Sequence, residues 1–198
     1  MAMQTLTATF TGVTPLLQAN PQGVSRACPY SVRMKQINAK KTKRTDSDFA
    51  ELADLEVLSR VFWDDKIGVY VPTRWVAEAI ATKAFAVAKI SKAATRGALF
   101  MVAAKVPLNY KNKGRVKAIA DVTKDGFFRH AMILKQGQVR IEKNSPIFHD
   151  WSFACAMEFD DKVFDRADLQ RIIAETSHYV GFGDFRPTFG RASVEFSK

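Results

Sequence analysis

The stretch HYVGFGDFRPTFGR, residues 178–191, holds three glycines (Gly181, Gly183, Gly190), two arginines (Arg186, Arg191) and four aromatics in a chain with ten glycines. Glycine admits positive φ and close backbone approach, so Gly181 and Gly183 could leave consecutive N–H groups cradling a phosphate. Arg186 and Arg191 would add charge-assisted phosphate contacts, bidentate where the fork geometry allows. The loop follows a helical pattern instead of opening one, which separates it from strand–loop–helix nucleotide-binding loops. A helix-terminating glycine and a tight turn would explain Gly181 alone and leave GDFRPTFGR over-specified.

Residues able to do acid–base or metal chemistry are few. His130, His149 and His178 are the three histidines, and none stands in a metal-ligand spacing with cysteine or another histidine. The acid pairs Asp64–Asp65 and Asp160–Asp161 read as element ends. No metal or cofactor is expected, and the sequence leans away from an enzyme. His178 is the one acid/base candidate, and a helix C-terminal cap is the commoner reading of such a position.

The net charge of +10 is segregated along the chain. Residues 1–45 contain no acid and seven bases: Arg26, Arg33, Lys35, Lys40, Lys41, Lys43 and Arg44. Residues 79–120 again contain no acid, with nine bases that include Lys111, Lys113 and Arg115 near a polar tip. The remainder is net negative. Blocks of one sign are the footprint of a polyanion-binding face, because each neutralised phosphate releases counterions. The seven N-terminal bases, with Lys111, Lys113 and Arg115, are the expected phosphate contacts. Tyr30 and Tyr110 lie within the basic blocks, where either base stacking or packing would suit them. Trp63, Trp75 and Trp151 sit in apolar contexts and read as core.

Two distant cysteines, Cys28 and Cys155, point to a reducing compartment, with Cys155 a small core residue in SFACAMEF. No apolar run reaches the roughly 18 residues of a membrane span, and MAMQTLTATF lacks a signal-peptide layout. A cytoplasmic protein with no membrane partner is expected.

The elements that must position these residues follow from periodicity. QTLTATF alternates as a strand, and GVTPLLQANPQG turns. Residues 24–45 lack apolar periodicity and read as a basic loop or an arm that orders on binding. A helix capped by Asp46 or Ser47 runs to about Phe62, with Phe49, Leu52, Leu55 and Leu58 or Val61 on one face. IGVYVP is a strand, and Thr73 caps a helix with an apolar stripe of Val76, Ile80, Ala84 (or Lys83) and Val87. ALFMVAAKV, the basic tip NYKNKGR and VKAIADV suggest a hairpin with its tip at 108–117. FFRHAMIL, QVRIEK and WSFACAMEF are further strands. A helix capped by Asp165 delivers the glycine-rich loop, and SVEF closes the chain. Strands and helices mix without parallel βα alternation, so the class is α+β, a single domain over 1–198.

GFGDFRPTFGR resembles the C-terminal glycine-rich loop of the RAMP superfamily of CRISPR-associated RNA-binding proteins. TATFTGVTPLLQ resembles that family's first strand and its Gly-x-x-Pro-Leu-Leu turn, and NSPIFHDWSFACAMEFD resembles the strand before its last helix. The match covers about a third of the chain, in the right order. It is strongest in character to the guide-RNA-coating backbone subunit of Cascade-type effectors or a stand-alone phage relative. The resemblance implies a modified RRM (ferredoxin-like) core with an antiparallel sheet, self-assembly along RNA, and a protruding thumb, for which 24–45 and 108–117 are both candidates. It implies single-stranded RNA as partner, with single-stranded DNA open, alongside copies of the chain and other effector subunits. The superfamily's processing endoribonucleases generally use a histidine early in the fold, and none occurs here before His130. A protein-binding mimic or inhibitor of CRISPR subunits remains the other alternative.

Overall fold

The computed structural model describes residues 3–197. Its elements in chain order are β1 (Met3–Gly12), β2 (Leu16–Leu17), α1 (Pro29–Asn38), α2 (Asp46–Arg60), β3 (Trp63–Asp64), β4 (Gly68–Pro72), α3 (Arg74–Ala88) and α4 (Lys92–Ala98). There follow β5 (Leu99–Met101), β6 (Lys105–Pro107), β7 (Arg129–Gln136), β8 (Val139–Phe148), β9 (Ser152–Asp160), α5 (Arg166–Glu175) and β10 (Ala192–Ser197). Read from sequence as one domain, the chain packs as two compact units. The first comprises the chain up to Leu16, Val69–Lys111 and the chain from Phe148; the second comprises Leu17–Gly68 and Asn112–Ile147.

The first unit holds a four-stranded antiparallel sheet in the order β10-β1-β9-β5. Taken with α3 and α5, the chain order is β1-α3-β5-β9-α5-β10, a βαββαβ path whose fourth strand lies beside its first: the ferredoxin-like arrangement. Period-two alternation decides the sheet's faces. Leu6, Ala8 and Phe10 of β1 and Phe153, Cys155, Met157 and Phe159 of β9 are buried with the Val76–Ile80–Ala84 stripe of α3 and Leu169, Ile172 and Ile173 of α5. The opposite face presents Thr5, Thr9 and Thr11 from β1 and Ala154 and Glu158 from β9, exposed and without an aromatic on either central strand. Cys155 is a buried free thiol whose pKa burial pushes up to about 11, as its core reading requires.

Two insertions into this path, after β1 and after β5, build the second unit. The basic stretch 24–45, expected as a loop, is helical over α1. Pro29 starts the helix at a position that needs no donor, Ser31 Oγ donates to Gly23 O at 2.5 Å, and Ile37 is fully buried. Only Ser31 and Ile37 are buried within α1, so no apolar stripe announces it. Packing on α2 and the ion pairs Arg33–Glu51 and Lys40–Asp48 accompany the helix instead.

The α2 helix starts one residue before the start an Asp46 cap would give and two before that of a Ser47 cap. Thr45 is its N-cap: Thr45 Oγ1 accepts from Asp48 N at 3.3 Å, and Asp48 Oδ2 accepts from Thr45 N at 2.9 Å, a reciprocal capping box. Thr45→Ala is expected to cost about 1 kcal/mol, read as a lower urea midpoint. Its buried residues are Asp48, Val57 and Ser59, and Phe49 is exposed with the Arg44 guanidinium over its ring.

The hairpin expected around 108–117 is absent. Residues 105–107 pair with β4, Asn109 exchanges two 2.9 Å backbone hydrogen bonds with Ser152, and 113–115 and 119–123 form 3-10 turns. Asp121 breaks the expected return strand by accepting from Lys117 N and Ala118 N, both at 2.8 Å. The inserted hairpin is β7–β8, in register from Arg129↔Pro146 to Gln136↔Val139 across a two-residue turn at Gly137, whose φ is +61°.

Candidate nucleic-acid interface

In the first unit the three motif segments converge. The turn after β1 is tied to the loop by Val13 N to Arg191 O at 2.7 Å, Arg191 N to Thr14 Oγ1 at 3.0 Å and Gly190 N to Pro15 O at 2.8 Å. Trp151, just before β9, donates from Nε1 to Thr14 O at 2.8 Å, and its carbonyl accepts from Gly12 N at 2.8 Å. The loop's Phe182 is buried, edge-on to Phe10 at 5.1 Å and Phe153 at 5.7 Å, with Trp151 stacked on Phe153. One aromatic cluster thus anchors the loop. Trp151 belongs to this core as expected, whereas Trp63 and Trp75 are half-buried.

The glycines have an internal reason. Gly181, Gly183 and Gly190 have φ of +73°, +78° and +77°. A Cβ on Gly181 would sit 2.7 Å from Gly190 O, and one on Gly190 would overlap Phe182 O. Phe182 N donates to Gly190 O at 2.8 Å and Gly181 N to Thr176 O at 2.9 Å. The N–H groups of Gly181 and Phe182 are therefore spent on the helix end and the loop, and those of Gly190 and Arg191 on the turn after β1, so the phosphate cradle expected of consecutive glycine N–H groups is reduced. Outside this knot Arg186 is exposed, and two shallow clefts meet at Tyr179 and Pro187. Arg191 is committed: its Nε donates to His178 O at 2.8 Å, and Nη2 lies 3.2 Å from His178 Nε2. His178 thus borders a guanidinium at the exposed end of the turn after α5, and among the described residues no group of three or more acids, cysteines or histidines could hold a metal.

Folding sorts the expected phosphate contacts into two sets. Arg33 meets Glu51 at 2.6 Å, Lys40 meets Asp48 at 2.5 Å and Arg115 meets Asp125 at 3.2 Å in the second unit; Lys111 meets Asp150 at 3.4 Å in the first. Each acid comes from outside the acid-free blocks, so segregation along the chain is partly undone in space. Arg44 lies over Phe49 and donates to Lys41 O and Asn38 Oδ1. Arg26, Lys35, Lys41 and Lys43 are exposed and have no acid partner among the described residues. Lys113 lies in the 3-10 turn before Arg115. Tyr110 is a packing residue: it is buried edge-on against Phe148 at 4.9 Å, and burial pushes its hydroxyl pKa up to about 12. Tyr30 is half-buried, its hydroxyl pKa raised by burial.

The residues not singled out from sequence are those of the β7–β8 ribbon. Lys135 and Arg140 face each other in register beside the turn, with Ile133 and Val139 each 63% exposed. The signal was present in FFRHAMILKQGQVRIEK, two strand-like runs separated by a glycine turn.

The paired acids make the second unit acid-sensitive. The Lys40 ammonium, then the Thr45 backbone, holds the Asp48 carboxyl below its ordinary value, and Arg33 does the same for Glu51. A folded-state pKa below the unfolded one gives stability that is present above about pH 4 and lost as pH falls through the folded value. Urea midpoints are therefore expected to fall from pH 5 towards pH 3, and Glu51→Gln to flatten that decline; an equal slope in the variant would contradict it.

Among the described residues no helix is long and apolar enough to cross a membrane. No protein-family model matches the chain, and neither does any curated protein sequence.

Proposed function

We propose that this chain is a non-catalytic RAMP-like protein that binds single-stranded RNA through its phosphates and oligomerises along the strand. The observation that carries the reading is the set Arg26, Lys35, Lys41 and Lys43, which stays exposed and unpaired after folding has neutralised four other expected contacts. Cations left without acids on one short segment favour a polyanion, since bound phosphates release counterions that internal pairs cannot. The central strands' exposed face carries no aromatic to stack bases, which favours contact through phosphates over base readout. Arg186, exposed beside the aromatic-anchored loop, is a further contact, and Arg191 holds the loop's shape. The β7–β8 ribbon, with its basic and apolar end, takes the thumb's place in this reading.

The test begins with protein purified without nuclease. Absorbance at 260 and 280 nm is followed across a size-exclusion peak, and extracted nucleic acid is treated with RNase and with DNase. A large RNase-sensitive species is expected, with affinity for added RNA falling by orders of magnitude between about 50 and 200 mM salt for several phosphate contacts. A clean monomer that ignores oligonucleotides would overturn the reading in favour of a protein-binding role. DNase-sensitive material alone would overturn the choice of RNA.

A further inference from the structure

Of the four tyrosines, Tyr30 and Tyr70 are half-buried and Tyr110 is buried; Tyr179 alone is exposed, at 63%. It stands on the turn Thr176–Val180 that continues α5 in the first unit, closed by the 2.9 Å bond from Gly181 N to Thr176 O. A single exposed aromatic needs no explanation of its own. This one stands between two clefts and two arginines. Tyr179 and Pro187 line both shallow clefts, of about 480 and 460 Å³, with Arg186 in the first and Arg191 in the second.

The tyrosine ring is held without being covered. Arg191 Nε donates to His178 O at 2.8 Å, which ties the turn down one residue before Tyr179. The His178 imidazole meets the tyrosine ring at 89°, with centroids 4.8 Å apart. In such a T-shaped pair one ring presents its edge to the other, so at least one face of Tyr179 stays open to the clefts. Arg191 Nη2 lies 3.2 Å from His178 Nε2, leaving Nη1 outside both contacts with His178. Asp184 is the one acid in either lining; it accepts from Phe185 N at 3.1 Å, and the two arginines outweigh it.

We propose that Tyr179 is a stacking platform for one base of the bound strand, with the phosphates before and after that nucleotide at Arg186 and Arg191. An open aromatic face suits a base, and a guanidinium on either side suits the phosphates that flank it. The inference rests on the RNA-binding reading above and adds a contact that phosphates alone cannot supply. Every base has a π-face, so one stacked base is compatible with binding any sequence. The platform lies outside the central strands of the sheet, whose exposed face carries no aromatic.

The test uses the full chain freed of nucleic acid, and compares a short oligo(A) RNA with a ribose-phosphate strand of equal length that lacks bases. The wild type is expected to prefer oligo(A) by at least about fivefold, the lower end of what one stacked base contributes. Tyr179→Ala is expected to abolish that preference and Tyr179→Phe to keep it. Neither removes a charge, so affinity for the strand without bases and the salt slope should stay as in the wild type, which also shows that both variants fold. Arg186→Ala should instead lower the salt slope by about 0.7 on both strands, and an unchanged slope would overturn the placement of that phosphate. Equal binding of the two strands by the wild type, or a preference that survives in Tyr179→Ala, would overturn the platform and leave phosphate binding standing. A wild type that binds neither strand would overturn the RNA-binding reading and this inference with it.

Discussion

Gly190→Ala is expected to destabilise the protein by on the order of 4 kcal/mol, as the loop and the aromatic cluster beneath it come apart together. The added Cβ would overlap the carbonyl oxygen of Phe182 at a φ of +77°. Both sides of that contact are backbone, so no rotamer change relieves it. The two segments are also fixed to each other and to the first strand: Phe182 N donates to Gly190 O, and Gly190 N to Pro15 O, both at 2.8 Å. Moving Gly190 therefore pulls Phe182 away from Phe10 and Phe153, a loss of the size seen when a core phenylalanine is truncated. Gly137→Ala is the control. Its φ of +61° carries the same kind of strain, but its Cβ would meet nothing within 4 Å, so about 1 kcal/mol is expected. Urea unfolding followed by near-ultraviolet circular dichroism separates the two, and equal midpoints for both variants would contradict the account. Because Gly190 faces the protein, lost RNA binding in that variant would report folding. On the RNA-binding reading, Arg186→Ala tests the loop's contribution directly.

The second large effect concerns the cations that folding leaves unpaired. On the RNA-binding reading, the triple change Lys35→Gln, Lys41→Gln, Lys43→Gln removes three phosphate contacts. Each contact on single-stranded nucleic acid contributes about 0.7 to the slope of log affinity against log salt, so the slope should fall by about 2. At about 0.1 M salt the same relation gives an affinity loss on the order of a hundredfold. Arg33→Gln is the matched comparison: its charge already faces Glu51 in a two-bond pair at 2.6 and 2.9 Å, so its loss should change affinity far less. Filter binding at four salt concentrations reads slope and affinity together. An unchanged slope in the triple variant would remove these residues from the interface, and a larger effect at Arg33 would reverse the division between paired and unpaired bases.

Much of the ferredoxin-like core was legible because its signals are local. The alternation of QTLTATF and SFACAMEF, the Val76–Ile80–Ala84 stripe and the Asp165 cap each arise from periodicity or from a side chain reaching its own backbone. Those elements stand where the residues said they would. The α1 helix carried no such signal, since only Ser31 and Ile37 face inward and its ion pairs run to a different helix. The hairpin was misplaced because ALFMVAAKV looks like one continuous strand, whereas its two ends pair with different partners, β9 and β4.

The sequence by itself determined the α+β class, the order of the core strands and helices, the position of the glycine-rich loop and the existence of basic blocks, all of which depend on neighbours within a few turns of chain. Tertiary structure decided what those features are for within the fold. It turned Gly181 and Gly190 into points where backbone meets backbone, made Phe182 a core residue, and brought Glu51, Asp48, Asp125 and Asp150 to bases that are alone in the sequence. Coulomb energy depends on distance in space, and a run of like charges fixes only distance along the chain.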